Sequence, residues 1–73
     1  MEIMWDILAS IYYGECSYEE LCERDFLKTT SNYGISLCLN QLVKRNLVKE
    51  KKNGKYNATA EAKQELASRG YFA

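Results

Sequence analysis

Seventy-three residues are expected to make one domain, 1–73, without room for a second. Such a chain buries only ~60% of its unfolded surface, so the core is thin and cannot also wall a deep enzyme cleft. Ten acidic and ten basic side chains cancel, histidine is absent, and the cysteines are three, which excludes Ser-His-Asp and Cys-His catalysis, the common Cys/His zinc patterns and a fully paired disulfide framework.

In chain order, residues 2–13 read as a helix. Ile3, Met4, Ile7 and Ile11 lie on one side, and Gly14 follows as a stop. Met1, Trp5, Leu8 and Tyr12 make a second apolar stripe, so this helix must cover two faces. Residues 17–24 form a short helix opened by a capping box, Ser17-Tyr-Glu-Glu20, with Leu21 and Cys22 inward. Asp25 to Thr29 is a turn anchored by Phe26 and Leu27.

Residues 30–45 form the third helix, capped by Thr30 or Ser31. Ile35, Leu39, Leu42 and Val43 define its buried face, with Cys38 at the margin. The opposite face carries Tyr33, Leu37, Gln41 and Lys44, flanked by Ser36 and Asn40, and holds no acid. The helix stops at Asn46. Residues 47–58 switch to a hairpin around Asn53-Gly54, a type I′ turn signal. A two-residue loop pairs Lys52 with Lys55, Lys51 with Tyr56 and Lys49 with Ala58. Leu47, Lys49, Lys51, Tyr56 and Ala58 then share a face, and Lys52 opposes a like charge. Thr59 caps a last helix, 60–69, with Ala62 and Leu66 inward and Gly70 at its end. Tyr71 and Phe72 form an apolar tail. The expected class is mainly α with a small β-hairpin.

The zero net charge conceals a division. Residues 1–25 hold seven acids against Arg24, a net −6, and residues 26–57 hold seven bases against Glu50, a net +6. Such asymmetry points to an anionic partner, two solvated faces of opposite sign being the plainer alternative. Four lysines in seven residues, 49–55, also suit a strand edge protected from aggregation. Tyr33 and Leu37 can alternatively pack on the preceding turn. Cys16, Cys22 and Cys38 read as buried free thiols, with a three-cysteine metal or redox site as the alternative. Glu19 and Glu20, or Glu23 and Asp25, are exposed sequence neighbours rather than an acid–base pair, and no glycine-rich phosphate loop occurs. No enzyme activity, cofactor, metal or small-molecule effector is expected. No apolar run approaches the ~20 residues of a membrane span. Glu2 and Asp6 stand where a signal peptide carries bases, so the expected location is the cytoplasm.

The stretch from Leu39 through Leu42, Leu47-Val48, Asn53-Gly54 and Tyr56 to Thr59 resembles the wing of winged helix-turn-helix regulators of the MarR, PadR and ArsR type. There, two leucines close a recognition helix, Leu-Val opens a charged strand, and a tight turn and an aromatic precede Leu-Thr. Here Asn46 stands where glycine is frequent, Ala58 replaces the leucine, and the loop from Leu27 to Ile35 is about three residues longer than in the tightest helix-turn-helix.

The resemblance implies three helices, a β wing and a C-terminal helix that together bind double-stranded DNA, as a repressor. Helix 30–45 would enter the major groove. Asn40 and Gln41 can bond adenine, Leu37 can meet a thymine methyl, and Gly34 permits close approach. Thr29, Thr30, Ser31 and Asn32 suit phosphate oxygens, Lys44 and Arg45 lie along the backbone, and Lys51, Lys52, Asn53 and Lys55 supply a phosphate or minor-groove contact. Tyr33 and Ser36 complete the expected interface. Met1, Trp5, Leu8, Tyr12, Tyr71 and Phe72 are expected to join two copies into a homodimer, the alternative being a tail folded over the first helix. A protein-interaction module is the rival function.

Overall fold

The computed structural model describes residues 3–72, and Met1 of the expected dimer seam lies outside them. Helix α1 spans Ile3–Tyr13, strand β1 Cys16–Ser17, helix α2 Tyr18–Cys22, a 3-10 turn Asp25–Leu27 and helix α3 Asn32–Lys44. Strands β2, Val48–Glu50, and β3, Lys55–Ala58, precede helix α4, Ala60–Ser68. The strands form one antiparallel sheet in the order β1-β3-β2. The result is a mainly helical domain with a small sheet, and among the described residues no helix is long and apolar enough to cross a membrane.

Helix α1 is the hub. Trp5, Ile7, Leu8 and Ile11 are all buried, and the helix packs against α3, α4 and β3. Leu21, Leu27, Ile35, Leu39, Leu42, Leu47, Val48, Ala62 and Leu66 complete the core. Two residues of the second apolar stripe of α1 are therefore taken up by the chain's own core. Trp5 is only 4% exposed and Leu8 is fully buried. The Arg69 guanidinium lies 3.5 Å from the Trp5 ring centroid. The tail then folds back over α1: Tyr71 Oη donates to Asp6 Oδ1 at 2.6 Å, and the Phe72 and Tyr12 rings sit 5.3 Å apart. The expected dimer seam is corrected on this point. Trp5 and Leu8 serve the protomer's own core because α4 and the tail cover the face they occupy.

Local sequence explains most element ends. Ser17 Oγ accepts from the Glu20 amide and Glu20 Oε1 accepts from the Ser17 amide, completing the capping box. Ser31, not Thr30, caps α3 by accepting from the Gly34 amide at 3.0 Å. Helix α3 ends in a Schellman motif: Leu47 N–H donates to Leu42 O and Asn46 N–H to Val43 O, with Asn46 at φ 61°. Helix α4 ends likewise at Gly70, φ 82°, with Tyr71 N–H donating to Leu66 O. Thr59 departs from its expected role. It stands at the N-cap of α4, but its hydroxyl donates to Asn46 O at 2.8 Å and ties the end of α3 to the start of α4.

The hairpin register differs by one residue from the sequence expectation. Val48 opposes Ala58, Lys49 opposes Asn57 and Glu50 opposes Tyr56. The loop is three residues, Lys52-Asn53-Gly54. Gly54 N–H donates to Lys51 O, Lys51 N–H donates to Lys55 O, and Gly54 sits at φ +83°. This is the turn-plus-bulge loop, which needs a left-handed residue only at its last position, whereas type I′ needs two. Asn53 stays out of that region and its side chain accepts from the Lys55 amide at 3.0 Å. A one-residue slip exchanges the faces. Val48, Glu50, Tyr56 and Ala58 share one side, and Lys49 and Asn57 share the exposed other side. Two expected core residues also lie outside: Phe26 is 43% and Val43 45% exposed.

Trp5→Ala removes the largest side chain of the hub and its stacked arginine. The expected loss is about 3–5 kcal/mol of unfolding free energy, read by urea denaturation. A loss below about 1 kcal/mol would place Trp5 outside the cooperative core. Asn46→Gly should be as stable as the parent, while Asn46→Val should lose about 1–2 kcal/mol from the left-handed backbone.

Candidate nucleic-acid interface

The core fixes which side of α3 faces water. With Ile35, Leu39 and Leu42 buried, Tyr33, Leu37, Asn40, Gln41 and Lys44 emerge together on the outer side. Tyr33 is 74% and Leu37 46% exposed, so neither is buried against the preceding turn. Ser36 is half-buried at the edge of this face. The N-terminal end of α3 is held from a distance: Tyr18 Oη in α2 donates to Asn32 O at 3.0 Å. Gly34 has a local purpose. A Cβ there would meet Ser31 Oγ and Thr30 Cγ2, each at 3.3 Å, so its smallness accommodates the cap.

The other expected contacts divide into two groups. Asn32, Lys44, Lys52 and Asn53 are exposed, and among the described residues neither Lys44, Lys49 nor Lys52 makes an ion pair. Thr30 is half-buried, and the Ser31 hydroxyl is already used as the cap. Arg45 caps the C-terminal end of α3, with its guanidinium carbon 5.8 Å from the Trp5 ring centroid. Lys51 and Lys55 have carboxylate partners. Lys51 Nζ lies 2.9 Å from Glu15 Oε2 and Lys55 Nζ 3.8 Å from Glu20 Oε1.

These pairs come from a strand too short to be seen in the sequence. Residues Cys16 and Ser17 pair with Tyr56 and Lys55, which brings the acidic start of α2 beside the basic hairpin. The expected repulsion between Lys52 and Lys55 is replaced by an opposition of Lys51 and Lys55, each against a carboxylate. The Ser17 amide, followed by the Lys55 ammonium, holds the Glu20 carboxyl below the ordinary glutamate value.

The cysteines stand apart from this surface chemistry. All three are free thiols. Burial raises the pKa values of Cys16 and Cys38, which keeps them in the less reactive protonated form. Among the described residues no group of three or more metal-ligating side chains is assembled.

The electrostatic link to Glu20 makes stability depend on pH. Its folded pKa lies below its unfolded value, so its contribution is complete above about pH 4.3 and fades as pH falls through the folded value. Glu20→Ala should therefore be less stable than the parent at neutral pH. The gap should narrow below about pH 4 in urea denaturation at successive pH values. A pH-independent gap would show that the ionised carboxylate contributes nothing.

No protein-family model, curated protein or solved structure matches this chain.

Proposed function

We propose that the chain binds double-stranded DNA as a winged helix-turn-helix transcriptional regulator acting as a repressor. Helix α3 enters the major groove and the hairpin reaches the backbone or minor groove. One observation carries the reading: the water-facing side of α3 presents Tyr33, Leu37, Asn40, Gln41 and Lys44 with no acid among them. An α-helix fits the major groove, amide side chains can pair bidentately with adenine, and an apolar group can meet a thymine methyl. The element order and the β1-β3-β2 sheet support the winged-helix reading, because they set a basic hairpin directly after this helix.

The two ion pairs favour a second reading, a protein-interaction module. Lys51 and Lys55 already have intramolecular partners, and Tyr33 and Leu37 are apolar groups a protein surface could cover. Site selection from a random oligonucleotide pool, followed by mobility shifts across a salt series, separates the two. A DNA binder loses affinity steeply with salt, by a slope of about −0.9 per phosphate contact. A flat, weak response with no selected sequence would favour the protein partner.

A homodimer, if it forms, must use a face other than Trp5 and Leu8. Sedimentation should give a monomer for the DNA-free chain, since the tail occupies the expected seam. A stable two-fold pair would overturn that expectation.

On the selected site, Asn40→Ala or Gln41→Ala should cost roughly 1–3 kcal/mol while leaving random-duplex binding nearly unchanged. Lys52→Ala should weaken both equally and shallow the salt slope by about one unit. Equal losses on selected and random DNA for Asn40 and Gln41 would reduce those side chains to positioning the helix.

A further inference from the structure

The hairpin holds Lys49, Lys51, Lys52 and Lys55, but carboxylates stand against this charge. Glu50 lies on β2, Glu15 meets Lys51 at 2.9 Å and Glu20 meets Lys55 at 3.8 Å. Four lysines thus act as little more than one net positive charge at a distance. Neither pair is sealed from solvent. The side chains of Lys51 and Glu15 are 45% and 36% exposed, and those of Lys55 and Glu20 are 41% and 51% exposed. Ion pairs with this exposure are weak, so an incoming anion can exchange for the carboxylate at small cost. The pairing is nonetheless built in. The β1–β3 ladder sets Ser17 opposite Lys55, and the capping box orients Glu20 at the same place.

We propose that Glu15 and Glu20 are intramolecular competitors of the DNA phosphates for Lys51 and Lys55, and that they hold down the domain's affinity for DNA of arbitrary sequence. This rests on the DNA-binding reading above. When phosphate takes a lysine, the displaced carboxylate is left near the polyanion and opposes the contact. Sequence-independent binding depends chiefly on lysine–phosphate contacts, so it suffers in full. Readout by Asn40 and Gln41 on α3 is unaffected. The acids thereby lower the backbone contribution shared by specific and random binding and leave discrimination to the base-reading side chains, and Lys49 and Lys52, which have no ion pair among the described residues, reach phosphate without displacing a carboxylate.

The test is a double-mutant cycle of Glu15→Gln and Lys51→Met, measured on a random-sequence duplex across a salt series. Thermal unfolding of each variant establishes that it is folded. Glu15→Gln should tighten random binding about two- to fivefold at low salt and steepen the salt slope by about one unit. In the Lys51→Met background, Glu15→Gln should have only the small effect on both that removing any nearby acid has. Glu20→Gln should act in the same direction, because glutamine can maintain the capping box. Glu50→Gln makes the same charge change on the hairpin and should have a smaller effect. Equal tightening by Glu15→Gln with and without Lys51 would overturn the proposal, since the acid would then act only through the general field. No effect of Glu15→Gln in a chain that does bind DNA would overturn it equally. If the unmodified chain fails to bind any duplex at low salt, the DNA-binding reading itself falls, and the competition with it.

Discussion

Burial of α1 is the constraint on which the rest depends. A domain of this length has little apolar area to bury, and one helix supplies a large share of it. Trp5, Ile7, Leu8 and Ile11 cannot be covered by α3 alone. Helix α4 and β3 close the remaining sides, and the tail adds Tyr71 and Phe72. Arg69 on the Trp5 ring shows how the last helix is held: a guanidinium stacks on an aromatic face while its neighbours remain in water. Because α3 turns its leucines toward α1, its opposite side is delivered to solvent with its polar and aromatic groups in one plane of approach.

The second organising force is electrostatic and acts at the surface. The acidic first third and the basic middle of the chain are not two remote faces. They meet at the hairpin, where β1 joins β3 and two lysines find carboxylates. Individually such pairs contribute little to stability. Their larger effect is on the field the hairpin presents. The hairpin and the carboxylates beside it therefore carry far less net charge than its four lysines suggest, and Lys44, Lys49 and Lys52 are basic side chains of this surface that make no ion pair among the described residues.

Backbone geometry links these two features. The Schellman turn at Asn46 reverses the chain after α3 and drives Leu47 and Val48 into the core, which sets the direction in which the hairpin leaves. Thr59 returns to the same point and bonds Asn46 O, so the strands begin and end at one fixed corner. The water-facing side of α3 and the hairpin are thus oriented by the same few hydrogen bonds, together with the Tyr18 bond to Asn32 at the other end of the helix.

The sequence by itself determined what is encoded within a few residues. The capping box at Ser17, the helix stops at Gly14, Asn46 and Gly70, the leucine face of α3 and the existence of a hairpin around Asn53-Gly54 all follow from local periodicity and cap chemistry. Tertiary structure decided the rest. The type I′ expectation failed because Asn53 bonded the Lys55 amide and only Gly54 took positive φ, and one residue of register moved Lys49 to the opposite face from Tyr56. The two-residue β1 carries no periodicity to detect, yet it pairs acids with bases distant in sequence. Likewise, a second apolar stripe on α1 says only that something must cover it. Whether that cover is another chain or the protein's own tail depends on long-range packing, and here Arg69, Tyr71 and Phe72 return to cover it.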